Sequence, residues 1–534
     1  MSAIRKLDLT LILAAGAACV LAAAAPPAAC ADSAAANAWI ATARQAAQAS
    51  DHDTAIKAFE YAMEADPSRR SALLREYADQ LTYGGRGDDA IPLYRELLDT
   101  PGLSADEQTR ARRGLALALS WTDQQQPALR EYQALVAQNP ADLDALRSVA
   151  RVQSWQGRHR RAVEQLEGFL ADHPHDPEGV AMLAQTLDWM GRPDRAKALL
   201  RDQLAAVPGD ANAQRLLDEI ERDDRPETFF DYSESHQSDN LRITGWGVRQ
   251  EVSLNDGLTT VGPRFHTYLY DSEGSKGLNG AAPPVPEDAS DIFVYRPGMQ
   301  VRHRFNDSFE WNGFGGVDVI EVRRGEDSAP FIYDTWLTYW ASDLLRFDVG
   351  SSRSTFDNAL SLRKGITATF ANASFDVTPD EKTRFTGRFR WGDYEQEDEQ
   401  AWWQAEAERR VWNDPRTYIA LRYTGTDFRN HESEQYNGYF NPQGYHSGEA
   451  RLRAYDELFR DFWYHFEASA GVEDERHDDA KFIWSAAGGV SYWFTDWLEL
   501  ALQYGYFSSK TGASGGSSGG FDRGTGSLTL RTRW

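Results

Sequence analysis

The pentapeptide Gly512-Ala513-Ser514-Gly515-Gly516 has the Gly-x-Ser-x-Gly spacing that presents a serine as a nucleophile where a strand turns sharply into a helix. Its surroundings argue for something plainer. Residues 510–520 are rich in Gly and Ser and carry no strand–turn–helix pattern, so a flexible loop accounts for the match. The 11 His residues, His303 and His465 among them, are scattered without close ligand spacing, and the only cysteines are Cys19 and Cys30. A structural metal site needs clustered thiolate, imidazole or carboxylate ligands. No Gly/Lys phosphate cradle occurs. The 81 acidic residues are too many to single out a pair for glycoside hydrolysis. The expectation is a chain with no catalytic, metal-binding or cofactor-binding residue, hence no enzyme and no cofactor.

With no reaction centre to position, the elements themselves carry the information. Residues 1–31 read as a secretory leader: Arg5 and Lys6, an Ala/Leu-rich run, Pro26-Pro27, then the small-x-small triplet Ala29-Cys30-Ala31. Both cysteines leave with such a leader, which suits an oxidising compartment. No later stretch is long and apolar enough for a spanning helix. A spanning barrel stays open, because its strands alternate polar and apolar residues and the average cancels. The formal charge of -25 repels nucleic acid, so no nucleic-acid partner is expected.

Residues 32–225 repeat themselves. Ala128, Tyr132 and Pro140 recur 34 residues later as Ala162, Leu166 and Pro174, and again as Ala196, Leu200 and Pro208. Trp121, Trp155 and Trp189 keep the same step, and Ala55 and Ala90 mark two earlier copies. Small alanines let paired helices approach, large apolar residues fill the groove, and proline ends the second helix. This is the tetratricopeptide pattern: about five units and a capping helix, which stack because one unit cannot bury its own face. The recurring Trp is expected in the core.

From residue 226 the period changes from 3.6 to 2. Phe293, Tyr295, Pro297, Met299 and Val301 alternate with Arg296, Gln300, Arg302 and Arg304; Phe385, Phe389 and Trp391 alternate with Arg384, Arg388 and Arg390. Short turn sequences such as Asn255-Asp256-Gly257, Asn306-Asp307 and Asn413-Asp414-Pro415 alternate with longer Gly- and charge-rich loops. Seven turns and eight loops imply about sixteen antiparallel strands, closed into a transmembrane barrel over residues 226–534. The last strand ends on Trp534, and Trp336, Tyr339, Trp340, Trp391, Trp402, Trp403, Trp412, Tyr492, Trp493 and Trp497 are expected as interfacial girdles. Such a barrel is wide enough for an aqueous lumen. Its candidate lining is Arg296, Arg302, Arg304, Glu310, Asp318, Arg384, Arg388, Arg390, Glu406, Glu408, Arg410, Arg422, Glu449, Arg451, Arg453 and Glu467. Most of these are expected to pair across neighbouring strands and brace the wall.

The fold class is therefore a multidomain α + β chain, an N-terminal tetratricopeptide solenoid followed by a C-terminal barrel. That combination resembles the outer-membrane porins that export exopolysaccharides of the poly-N-acetylglucosamine and cellulose types. The motif Ser154-Trp155-Gln156-Gly157-Arg158 also resembles the YaiO-like outer-membrane proteins, and Tyr439-Phe440-Asn441-Pro442-Gln443-Gly444-Tyr445 is similar to a loop of the cellulose-type barrels. The array is shorter than in those exporters. The resemblance implies an outer-membrane porin for a polysaccharide, with the repeats in the periplasm binding the polymer or a protein partner, and with outer-membrane lipid around the barrel. The alternative is an anchored repeat scaffold whose barrel does not conduct.

Overall fold

The structure, a computed structural model, describes residues 28–238, 240–274, 290–395, 398–429, 442, 444–475, 479–509 and 521–534. Ser514, most of the Tyr439-to-Tyr445 motif and residues 1–27 of the expected leader lie outside them. The chain divides into two compact units at Val152/Gln153.

Both units contain helices of the repeat pattern. In the first, α1 (Ala28–Gln48), α2 (His52–Ala65), α3 (Arg70–Tyr83), α4 (Gly87–Leu98), α5 (Ala105–Trp121) and α6 (Gln125–Gln138) follow one another, and α7 (Leu143–Trp155) begins. Ala55, Ala90 and Ala128 are fully buried, as the close helix approach requires. Around them Ile56, Leu81, Tyr94, Leu115, Leu119 and Tyr132 form one continuous apolar cluster. In the second unit α8 (His159–Asp172), α9 (Pro177–Trp189), α10 (Pro193–Ala206) and α11 (Ala211–Asp223) repeat the arrangement, again with Ala162 and Ala196 fully buried. Proline opens α9 and α10, where its missing N–H costs nothing. Asp176 and Asp210 cap α9 and α11 by accepting from the Gly179 and Ala213 amides.

The rest of the second unit is a closed antiparallel barrel of sixteen strands. In order these are β1 (Glu227–Gln237), β2 (Arg242–Leu254), β3 (Thr259–Asp271), β4 (Asp291–Arg304) and β5, which runs over Phe309–Val317 and resumes after Asp318 as Val319–Val322. Then come β6 (Phe331–Ser342), β7 (Leu345–Ser354), β8 (Ala368–Asp380), β9 (Thr383–Tyr394), β10 (Asp398–Asn413) and β11 (Arg416–Phe428). The last five are β12 (Tyr445–Phe459), β13 (Phe462–Asp474), β14 (Lys481–Thr495), β15 (Leu498–Ser509) and β16 (Phe521–Arg533). Each strand pairs with its sequence neighbours, and β1 closes the ring on β16 from Glu227↔Arg533 to Gln237↔Arg523. Up-and-down closure leaves no free edge. One end carries the seven turns, each of two to four residues, and the other carries eight connections, six of them longer and those after β1 and β9 equally short. The seven turns fall within two or three residues of the sequence expectation; Pro379 still belongs to β8, and that turn lies just beyond Asp380.

Register carries the two faces round the whole ring. Phe230 pairs with Leu530, Leu530 with Leu500 and Leu500 with Tyr492. On the far side Leu337, Val349, Ala373, Phe389 and Trp403 are aligned strand by strand. This apolar face is uncovered: Leu421 is 66% exposed and Leu337 39%. Because side chains alternate with a period of 2, all the intervening residues turn the other way.

Candidate functional site

The polar face is the enclosed one, as the connection between β7 and β8 proves. Residues 355–367 contain a one-turn helix, α12 (Ala359–Arg363), whose Ala359 and Leu362 are buried among Tyr270, Ile292, Val294 and Ile320 on β3, β4 and β5. Phe356 stacks on Tyr394 of β9 with centroids 5.3 Å apart. Asp357 accepts from Tyr270 Oη at 2.9 Å and lies 3.7 Å from Arg523 of β16. A segment this short touches β3, β9 and β16 only by crossing the interior. The connection therefore folds into the lumen near the long-loop end and narrows it. Sequence reasoning missed this. Phe356, Leu360, Leu362 and Ile366, four large apolar residues in a turn-rich stretch, were the available signal.

All sixteen candidate lining residues stand on this inner face. Most brace one another. Glu406 receives Arg422 at 2.8 Å and Arg451 at 2.6 Å, and Arg451 also reaches Glu467. Glu408 pairs with Arg453 at 2.9 Å, Arg384 with Asp376 at 2.8 Å, and Glu449 accepts from Ser469. Arg302 donates to Thr260, and Arg390 lies over the Phe370 and Trp402 rings. Arg388 and Arg410 lie in register with Gln404 and Tyr418. Two pairs do not face open space. Arg296 and Asp318, 2.6 Å apart, are covered by the inward connection, whose Thr355 also donates to Asp318. Arg304, paired with Glu310, is buried at the short-turn end against Trp340 and Gly191.

The pairs among these candidates occupy β4 to β13, and a further set joins Arg531 and Arg533 of β16 to Glu227 of β1, with Arg531 also reaching Glu499 of β15, at the short-turn end. Beyond that end the opposite wall is built mostly of small uncharged residues: Ser469 on β13, Ser485, Ala487 and Gly489 on β14, Gln503 and Gly505 on β15, Thr525, Ser527 and Thr529 on β16, then Ser233 and Ser235 on β1, with Asp231 held by Thr529 among them. A recess of about 350 Å³ opens there, lined by His465, Ser485, Gln503, Gly505, Thr525 and Ser527 among others. Long side chains fill one half of the cross-section and short hydroxyl-bearing ones leave the other half free.

The aromatic girdle needs correction. Tyr339, Trp391, Trp403 and Tyr492 are on the outer face, and Trp412 and Trp497 are exposed near the short turns. Trp336, Trp340, Trp402 and Trp493 point inward, sharing register with Gly350, Arg346, Arg390 and Glu499. Consecutive strand residues such as Trp402 and Trp403 cannot both face out, so parity already held the answer.

The recurring Trp needs correction too. Trp121, Trp155 and Trp189 are 50%, 38% and 47% exposed, and Tyr83, which occupies the same repeat position, is 50% exposed. Each is the last residue of its helix, where the side chain overhangs the turn instead of entering the core. Two residues later Gly157 and Gly191 adopt φ of +74° and +77°, the left-handed conformation that ends a helix. The arginines that follow reach the barrel. Arg158 donates to the Pro379 carbonyl at 2.7 Å, and Arg192 pairs with Asp307 in the β4–β5 turn. Arg195 also reaches Asp307, and Arg160 donates to the Asp307 and Trp340 carbonyls. The Asp343 carboxylate accepts from the Arg160 and Arg161 amides, so a barrel turn caps α8. Lys197 binds Asp224 and lies 4.0 Å from Asp256, beside Gly257 (φ +96°), where a Cβ would lie 2.6 Å from Pro193. The last two repeats are thus fixed to three short turns, those joining β2–β3, β4–β5 and β6–β7, and to the end of β8.

Among the described residues no group of His, Cys, Asp and Glu is arranged to hold a metal, and no helix is long and apolar enough to cross a membrane. Tetratricopeptide-repeat models match residues 71–177 and 156–220. No curated protein matches the chain significantly. Among solved structures, a bacterial polysaccharide outer membrane secretin is similar over 58% of this chain and 99% of its own, at 11% identity and TM-score 0.47. Acinetobacter baumannii OccAB1 is similar over 58% and 96%, at 11% identity and TM-score 0.35. A tetratricopeptide protein of Thermus thermophilus is similar over 35% and 98%, at 21% identity and TM-score 0.29.

Proposed function

We propose that this protein is an outer-membrane conduit that exports a polysaccharide, with no catalytic centre of its own. The observation that carries the reading is the pairing of a continuous uncovered apolar outer face with a lumen wall of small hydroxyl-bearing residues. Strands of 10 to 16 residues meet the length a barrel needs to cross a bilayer. Lipid is the solvent such an outer face requires. The repeats are then periplasmic, because short turns lie on that side of outer-membrane barrels, and their exposed surfaces receive the polymer or a protein partner. A glycan passes through hydroxyl-lined space by exchanging its water hydrogen bonds for protein ones at little net cost.

Planar-bilayer recording tests this. A variant lacking residues 356–366 conducts, and Gly505→Trp placed on it lowers the conductance, since a Cβ at Gly505 first meets Ala487 at 3.4 Å and the ring must project into the free half of the lumen. A loop-deleted barrel that inserts but passes no current removes the reading. The second reading, an anchor for a repeat scaffold, draws on the same inward connection: with it in place the barrel is narrowed. It predicts that deleting the connection leaves function in cells unchanged.

A further inference from the structure

Trp189 is not merely an overhanging ring. It forms one wall of a pocket of about 370 Å³ between α9, α11 and the end of β16, together with Asp188, Glu219, Arg222, Asp223 and Arg533. Arg533 stands on the inner face of β16, over the Trp493 ring and bonded to Glu227 and Asp223. The pocket therefore adjoins the short-turn mouth of the lumen. Its polar groups are not all engaged. Arg533 and Asp223 hold each other at 3.2 Å, and Glu219 is paired with Arg215. The Asp188 carboxylate has no hydrogen-bond partner among the described residues, and partial burial with Asp223 nearby holds it above the ordinary carboxylate range. His159 flanks the Trp189 ring, with centroids 6.2 Å apart.

We infer that this pocket is a sugar-binding subsite, in which a pyranose ring without acidic groups stacks on Trp189 and a hydroxyl or amine donates to Asp188. The inference rests on the conduit reading and names where its polymer is first held. A half-exposed indole face attracts the C–H face of a sugar, because ring carbons are apolar and the aromatic face is electron-rich. A free carboxylate supplies the directional acceptor beside it. Acid groups on the ligand are disfavoured by three carboxylates against two guanidiniums in the pocket and by the chain's formal charge of -25. Within the same compact unit Trp155 occupies the same repeat position and is 38% exposed, so the aromatic at the end of this helix recurs from one repeat to the next.

The test is isothermal titration calorimetry of the full chain in detergent with three probes: cellohexaose, a fully deacetylated chitosan hexamer and an oligogalacturonate hexamer. Wild type binds cellohexaose, the chitosan hexamer or both, and not the oligogalacturonate. Trp189→Ala weakens that binding about ten-fold or more, whereas Trp189→Phe, which keeps a ring, stays within about three-fold. Asp188→Asn weakens it without lowering the melting temperature. Equal binding by Trp189→Ala, preference for the oligogalacturonate, or no binding of any probe to folded wild type overturns the subsite. The bilayer recording separates the two ideas: a conducting barrel without Trp189-dependent binding loses the subsite alone, and Trp189-dependent binding on a non-conducting barrel loses the conduit alone.

Discussion

At the scale of single residues the sequence spoke clearly where one side chain has one physical use. Ala55, Ala90, Ala128, Ala162 and Ala196 had to be buried because nothing larger lets the helices touch, and they are. Trp121, Trp155 and Trp189 misled because a large apolar ring has two uses, and only the end of the helix decides between core and overhang. The arginines after Gly157 and Gly191 were visible, but their partners lie more than 100 positions away in barrel turns. His159 opens one of these docked helices. Burial lowers its pKa below the ordinary 6.5, although Asp343 pulls the other way. The folded state then resists the proton that the unfolded chain accepts. Stability is full above the ordinary histidine range and falls as pH drops through it, levelling once the folded group also titrates. The expected result is a melting temperature that declines from pH 7.5 to 5 more steeply in wild type than in His159→Gln. Parallel curves would remove His159 from the account.

At the scale of elements, strand parity was fully legible, since one residue fixes the orientation of a whole strand. What parity cannot tell is where a connection goes after its strand ends, so the inward path of residues 355–367 had to come from the structure. The docking of the last two repeats is likewise a meeting of loops that carry no long-range signal. It makes a definite forecast. Asp307 receives both Arg192 and Arg195, and Arg192 is only 15% exposed. Asp307→Ala leaves that guanidinium with Asp194 alone and cuts its tie to the barrel, which costs about 0.5–1 kcal/mol after allowing for partial exposure. Asp343→Ala removes the α8 cap and costs about 1 kcal/mol. Hydrogen exchange should quicken in the first turns of α8 and α10 in these variants and stay unchanged in α2 and α3. Unchanged protection at α8 and α10 would mean that these contacts do not hold the repeats to the turns.

At the scale of the whole molecule the charge is unevenly used. The chain carries -25, yet on the lumenal wall acids and bases stand largely opposite each other, as in Glu406 with Arg422 and Arg451 or Asp376 with Arg346 and Arg384. Paired charges cancel at distances beyond their own separation, and salt screens what is left within about 8–10 Å. A conduit built this way has little field along its free half, so it should pass ions with weak selectivity despite the acidity of the protein. Arg388 is an informative exception, since it stands between Ser374 and Gln404 with no acid opposite it. In the variant lacking residues 356–366, the reversal potential in a potassium chloride gradient should lie near zero. Adding Arg388→Glu should shift it toward cation selectivity, more at low salt than at high. A strongly cation-selective parent pore would show that the negative charge of the loops and repeats, and not the wall, governs passage.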